Sequence, residues 1–217
     1  MKNIYNLLFI FFTLLPTITK AEEITILMFG DSLTQGYGLD QNEGLVPTLQ
    51  EKVRNEAILL INGGVSGDTT AGGASRIEWS LTPEIDAIVI ALGGNDMLRG
   101  IDPKNTYENL EYIINIVTDK NIPFVLVGME APMNYGKEFK RDFDAIFPDL
   151  AMKHNGIYAK SFFEPLIKDN IIPLNLMQKD GIHPNKLGVE KIAEYMYPKL
   201  LSLKVNILKQ NRKNTFD

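Results

Sequence analysis

The sequence predicts an α/β protein, a doubly wound domain built on a five-stranded parallel sheet. Three observations carry this. Four segments, 24–29 (ITILMF), 57–62 (AILLIN), 86–92 (DAIVIAL) and 123–129 (PFVLVGM), are near-continuous apolar runs. Strands covered by helices on both faces read this way. Helix-period patterns lie between these runs, and strand and helix alternate along the chain.

Taken in order, the strand at 24–29 runs into the turn GDSLTQGYG (30–38), and a helix is expected at about 45–55 before the strand at 57–62. NGGVSGDTT (62–70) follows, leading into a helix at 70–81. The strand at 86–92 ends in LGGNDMLRG. The clearest helix is 103–120, with Pro103 at its start and Leu110, Ile113, Ile114 and Val117 along one face. The strand at 123–129 and a helix at 137–154 come next, then a short fifth strand at 157–160 (IYAK) and a helix at 185–203. From Lys204 the tail (204–217) turns polar and basic and is expected to fray.

A chain of 217 residues, 45% apolar, suits one domain, here 22–203. The net charge of −5 and the lack of a basic run in the body of the protein argue against a nucleic-acid partner. The absence of cysteine excludes disulfides, a thiolate nucleophile and a Cys-based metal site. Residues 1–21 follow the plan of a secretory signal: Lys2, an apolar stretch from Leu7 to Leu15, Pro16, and small residues Thr19 and Ala21 before Glu22. The apolar stretch is short for a membrane span, although an uncleaved anchor is the alternative. Cleavage would leave 20 basic and 27 acidic residues, net −7, in a periplasmic or secreted protein without stable membrane insertion. A monomer is expected.

Parallel strands end on one side, so the segments carrying Ser32, Gly67, Asn95 and Asp180–His183 converge at the carboxyl edge of the sheet. A serine needs a base, and the chain has two histidines. His154, before Gly156, reads as a helix-end residue. His183 lies in a loop at the site edge, three residues after a carboxylate, Asp180, that can orient its ring. Asn95 offers an amide, Gly67 a close backbone N–H, and Ser32 its own N–H, as donors to an oxyanion. Asp31 and Asp96 are expected to orient loops or cap helices. Asp68 and Thr69 are expected to cap the following helix. Gly63, Gly64, Gly72 and Gly73 read as turn glycines.

GDSLTQGYG, SGDTT, GGND and DGIHPN together resemble the four blocks of the SGNH (GDSL) hydrolase family, in family order, over roughly residues 24–200. The resemblance implies a flavodoxin-like three-layer α/β/α sandwich and no cofactor or metal. It also implies Ser32 as nucleophile, Asp180 and His183 as orienter and base, and Gly67 and Asn95 in the oxyanion hole. GGNDMLRG and PMNYGKEFKRDFDAIFPDLA are similar to the secreted bacterial thioesterase/lysophospholipase/arylesterase branch. The expected substrate is a small-molecule or lipid ester, with Met97, Leu98 and Ile101 beside the acyl chain. The competing readings are a glycan deacetylase, a metal-dependent phosphoesterase using Asp31, Asp96, Asp180 and His183, and a non-catalytic glycan- or lipid-binding domain.

Overall fold

A computed structural model describes residues 23–214 of the chain. The proposed signal segment lies outside the described residues. The strands are β1 (Ile24–Gly30), β2 (Ile58–Gly64), β3 (Ala87–Ala91), β4 (Phe124–Val127) and β5 (Ile157–Ala159). They form one parallel sheet in the order β2-β1-β3-β4-β5. This is the flavodoxin-like order, whose switch point lies between β1 and β3. The helices are α1 (Ser32–Gln35), α2 (Leu45–Val53), α3 (Thr70–Ser80), α4 (Gly94–Leu98), α5 (Pro103–Asp119), α6 (Lys137–Lys153) and α7 (Lys186–Asn214).

Three layers follow from the period-2 alternation of the strands. On β1, Ile24, Ile26 and Met28 enter one core with Leu45 and Leu49 of α2 and Ile192, Met196 and Leu200 of α7. Leu27 and Phe29 enter the other with Ile77 of α3, Ile113 and Val117 of α5 and Phe143 and Phe147 of α6. The central strand β3 is buried at every position, whereas β2 at the sheet edge exposes Leu59 and Ile61. So the apolar run at 57–62 belongs to a strand with only one side fully covered.

α7 runs past Lys204 to Asn214. Its buried stripe runs Val189, Ile192, Met196, Leu200, Leu203 and Ile207. The spacing stays helical across the polar boundary, and Lys204 donates to the Glu56 carbonyl. The helix is therefore held as far as Ile207 by its buried side even though its outer face is polar.

Candidate active site

The site is assembled at the carboxyl edge, starting from the end of β1. Asp31 follows Gly30 and caps α1, its Oδ1 accepting the Leu33 N–H at 3.0 Å. Ser32 is therefore the first helical residue, with an N–H that has no acceptor within the helix. Gly36, at φ +91°, ends the helix after one turn. Gly64 permits this arrangement, since a Cβ there would lie 2.3 Å from the Gln35 nitrogen. Gly63 and Gly64 are thus strand residues at a close approach, not the turn glycines expected. Gly72 and Gly73 are likewise inside α3, packed against Asp68 and Leu92.

His183 Nε2 is 2.9 Å from Ser32 Oγ, and His183 Nδ1 is 2.7 Å from Asp180 Oδ2. The backbone N–H groups of Ile182 and His183 donate to Asp180 Oδ1 at 2.9 and 3.0 Å. The carboxylate is thereby oriented by its own turn, which Gly181 closes at φ +68°. Gln178 was not singled out in the sequence, yet it ties this loop to the serine turn. Its Nε2 donates to the carbonyls of Tyr37 (2.8 Å) and Pro184 (3.0 Å), and its N–H donates to the His183 carbonyl (2.8 Å). Asn185 Oδ1 accepts from Leu187 and Gly188 N–H and so caps the start of α7. The Tyr37 ring packs on the imidazole with centroids 4.8 Å apart.

Asn95 sits in the first turn of α4, after Gly93 at φ +113°. Its Nδ2 donates to the Asp68 carbonyl at 2.9 Å and lies 3.4 Å from Asp31 Oδ2. One amide hydrogen is thus held firmly by Asp68 and the other only weakly by Asp31. Gly67 has φ +82°, a conformation that disfavours any side chain, and its carbonyl accepts from Arg99 Nη2 at 3.0 Å. Asp96 is fully buried and turned away from the serine. It accepts from the Thr70 N–H and hydroxyl, joining α4 to the start of α3. Thr69 caps α3 through the Gly72 N–H, but Asp68 does not: its carboxylate pairs with Arg76 at 2.6 Å.

Two carboxyls leave the ordinary range in opposite directions. Burial pushes Asp31 up from 3.8 to about 6, against the pull of the Leu33 N–H and of nearby His183. The side-chain and backbone bonds from His183, with that from Ile182, draw Asp180 down from 3.8 to about 2.

The expected acyl-binding trio separates. Met97 packs against the core beneath α4, Ile101 lines a different hollow with Ala71 and Asn105, and Leu98 remains exposed at 52%. Met97 and Leu98 are consecutive on α4, so their side chains point about 100° apart, and Ile101 lies beyond the end of that helix, after Gly100 at φ +63°. The cavity that touches Ser32 and His183 is lined instead by Leu33, Tyr37, Leu45, Phe162 and Ile192, and holds about 10 Å³. That is about the room needed to hold one water. His154 caps the C-terminus of α6 at the opposite edge of the sheet, 3.8 Å from Glu111. Among the described residues, no three His, Cys, Asp or Glu side chains are grouped to hold a metal, and no helix is long and apolar enough to cross a membrane.

The chain is similar to several known proteins. Residues 28–191 match the model of the GDSL-like lipase/acylhydrolase family. The chain is 32% identical over 187 residues to the esterase TesA of Pseudomonas aeruginosa, covering 85% of this chain and 91% of that protein. It is also 32% identical over 200 residues to thioesterase 1/protease 1/lysophospholipase L1 of Escherichia coli K12, covering 92% and 93%. Among solved structures, the psychrotrophic esterase EstA from Pseudoalteromonas sp., inhibited by monoethylphosphonate, superposes with a TM-score of 0.76 at 33% identity, covering 83% of this chain and 98% of that one.

Proposed function

The chain belongs to the GDSL-like lipase/acylhydrolase family and is an ester hydrolase, and from that premise we propose that it cleaves carboxylic esters and thioesters of acyl chains through Ser32, His183 and Asp180. The observation that carries this is the unbroken series Ser32 Oγ, His183 Nε2, His183 Nδ1, Asp180 Oδ2, at 2.9 and 2.7 Å. An ionised Asp180 holds the proton on Nδ1 and leaves the Nε2 lone pair facing the serine hydroxyl.

As Ser32 Oγ attacks the acyl carbon, its proton passes to His183 Nε2. The carbonyl oxygen becomes an oxyanion, received by the N–H groups of Ser32 and Gly67 and by the Asn95 Nδ2 hydrogen whose resting partner is Asp31 Oδ2 at 3.4 Å. Collapse expels the alcohol or thiol, which takes the proton from His183 Nε2. Water then repeats the sequence on the acyl-enzyme and returns the serine.

The cavity beside Ser32 is small, about 10 Å³, and we place the acyl chain along the open edge. Leu98 (52% exposed), Tyr37 (52%) and Ile182 (46%) offer apolar surface there. Each buried methylene favours binding by at most about 0.8 kcal/mol. We assign the substrate as a medium-chain acyl ester of a small molecule or lysolipid, hydrolysed outside the cytoplasm after removal of residues 1–21. The test is kcat/KM over p-nitrophenyl esters from acetyl to octanoyl, with a lysophospholipid and an acetylated sugar alongside, on wild type and Ser32→Ala. Activity should rise toward hexanoyl or octanoyl and vanish in Ser32→Ala. A steep acetyl preference with sugar deacetylation would refute the acyl-chain assignment, and activity surviving in Ser32→Ala would refute the nucleophile.

A further inference from the structure

Arg76 lies on α3, outside the four segments that meet at the site, and is only 7% exposed. A guanidinium so buried is costly unless its donors are met. Here its three nitrogens have separate acceptors. Nε donates to Asp68 Oδ2 at 2.6 Å, Nη1 to the Gly63 carbonyl at 2.9 Å, and Nη2 to the Gly30 carbonyl at 2.9 Å. Its Cζ stands 3.9 Å from the centre of the Phe29 ring, which fixes the plane of the fork.

These acceptors are the structural neighbours of the oxyanion donors. Gly30 ends β1 and lies two residues before Ser32. Gly63 is the second-last residue of β2, which leads to Gly67. Asp68 follows Gly67, and its own carbonyl receives Asn95 Nδ2. One rigid side chain therefore spans the serine turn and the loop that carries or aims the other two donors.

We propose that Arg76 is a positioning residue for acyl transfer: it sets the spacing of Gly67 and Asn95 from Ser32 by gripping Gly30, Gly63 and Asp68 together. The inference rests on the assignment of Gly67 and Asn95 as oxyanion donors above. It requires the planar fork, because a lysine ammonium is a point charge that cannot reach three divergent acceptors in one plane. An arginine that served the fold alone would cost stability but would act independently of Asn95.

A double-mutant cycle separates the two cases. It uses Arg76→Met, Asn95→Ala, the double variant and, separately, Arg76→Lys. kcat and KM are measured on p-nitrophenyl butyrate, with circular dichroism to establish folding. Arg76→Met is expected to lower kcat by about 10–100-fold with KM within about 3-fold of wild type. Asn95→Ala should then cost far less in the Arg76→Met background than alone, because its aim is already lost. Should Arg76→Met fail to fold, Arg76→Lys, which keeps the buried cation, takes its place in the cycle and is expected to lower kcat by about 10-fold. Wild-type kcat in a folded Arg76 variant, or full additivity with Asn95→Ala, overturns the proposal. Asn95→Ala with undiminished kcat would instead remove the oxyanion assignment itself, and the Arg76 proposal with it. A normal Asn95→Ala loss beside a fully active Arg76→Lys removes the Arg76 proposal alone.

Discussion

Replacing Asn95 by alanine separates a structural bond from a catalytic one on the same amide. One hydrogen of Nδ2 is engaged by the Asp68 carbonyl at 2.9 Å, a bond worth about 1 kcal/mol in stability. The second donates to Asp31 Oδ2 at 3.4 Å, a long and weak bond. An oxyanion is a better acceptor, so that hydrogen bond strengthens as charge develops and its loss falls on kcat rather than KM. Asn95→Ala should therefore lower kcat by roughly 10²–10³, or about 2.7–4 kcal/mol of transition-state stabilisation. Unfolding in urea should shift by only about 1 kcal/mol. Asn95→Asp should be at least as slow, since it places a second carboxylate beside Asp31. Ester kinetics on folded variants decide the matter, together with the rate of Ser32 labelling by a fluorophosphonate, which should fall but persist. A near-normal kcat in Asn95→Ala would mean that Asn95 only braces the loop, and the reasoning from the committed hydrogen would be wrong.

Other expectations are as direct. His183→Ala should abolish ester hydrolysis, whereas His154→Ala, at the far edge of the sheet, should retain most of it; equal losses in kcat/KM would overturn the assignment of the base. Asp31 is 3% exposed, and a carboxyl raised from 3.8 to about 6 binds its proton more tightly when folded. Its contribution to stability is therefore fully present below about pH 4 and lost as pH rises through 6, a change of about 3 kcal/mol. Asp180 moves the opposite way, to about 2, and its contribution is lost only as pH falls through that value, outside this window. Asp31→Asn should flatten the urea-derived stability between pH 4 and 7, and an unchanged slope would exclude Asp31 as its source. Intact-mass analysis of protein from the periplasm of expressing bacteria should give a chain beginning at Glu22; a full-length membrane-bound species would support the anchor instead.

Much of the site was legible in the sequence because the relevant signals are local. A parallel strand must be followed by a turn at the carboxyl edge, so apolar runs ending in GDS, GGV, GGN and, farther on, DGIH already bring Ser32, Gly67, Asn95 and His183 to one side. D-x-x-H places the carboxylate within reach of the ring by chain geometry alone, and the structure closes it at 2.7 Å. The continuation of α7 past Lys204 is hard to read because polar composition hides a stripe that spacing reveals: Leu203 and Ile207 continue it while Ser202, Val205 and Lys209 are exposed.

What the sequence by itself determined is the class of fold, the order of its elements and the chemistry available at the edge, since periodicity and turn residues act over a few positions. The tertiary structure decided everything that depends on two distant segments touching. Nothing near Arg76 distinguishes it from a surface arginine on a helix. Only the packing of α3 over β1 and β2 puts its fork on Gly30, Gly63 and Asp68. Gln178 reaches Tyr37 across 141 positions of chain, and Gly64 is required by the backbone of Gln35. Met97 packs on the core under α4, while Ile101, beyond the end of that helix, lines a hollow with Ala71 and Asn105. Hydrophobic burial is non-directional and leaves its record in composition, whereas hydrogen bonds and close contacts are directional and exist only once the elements have docked.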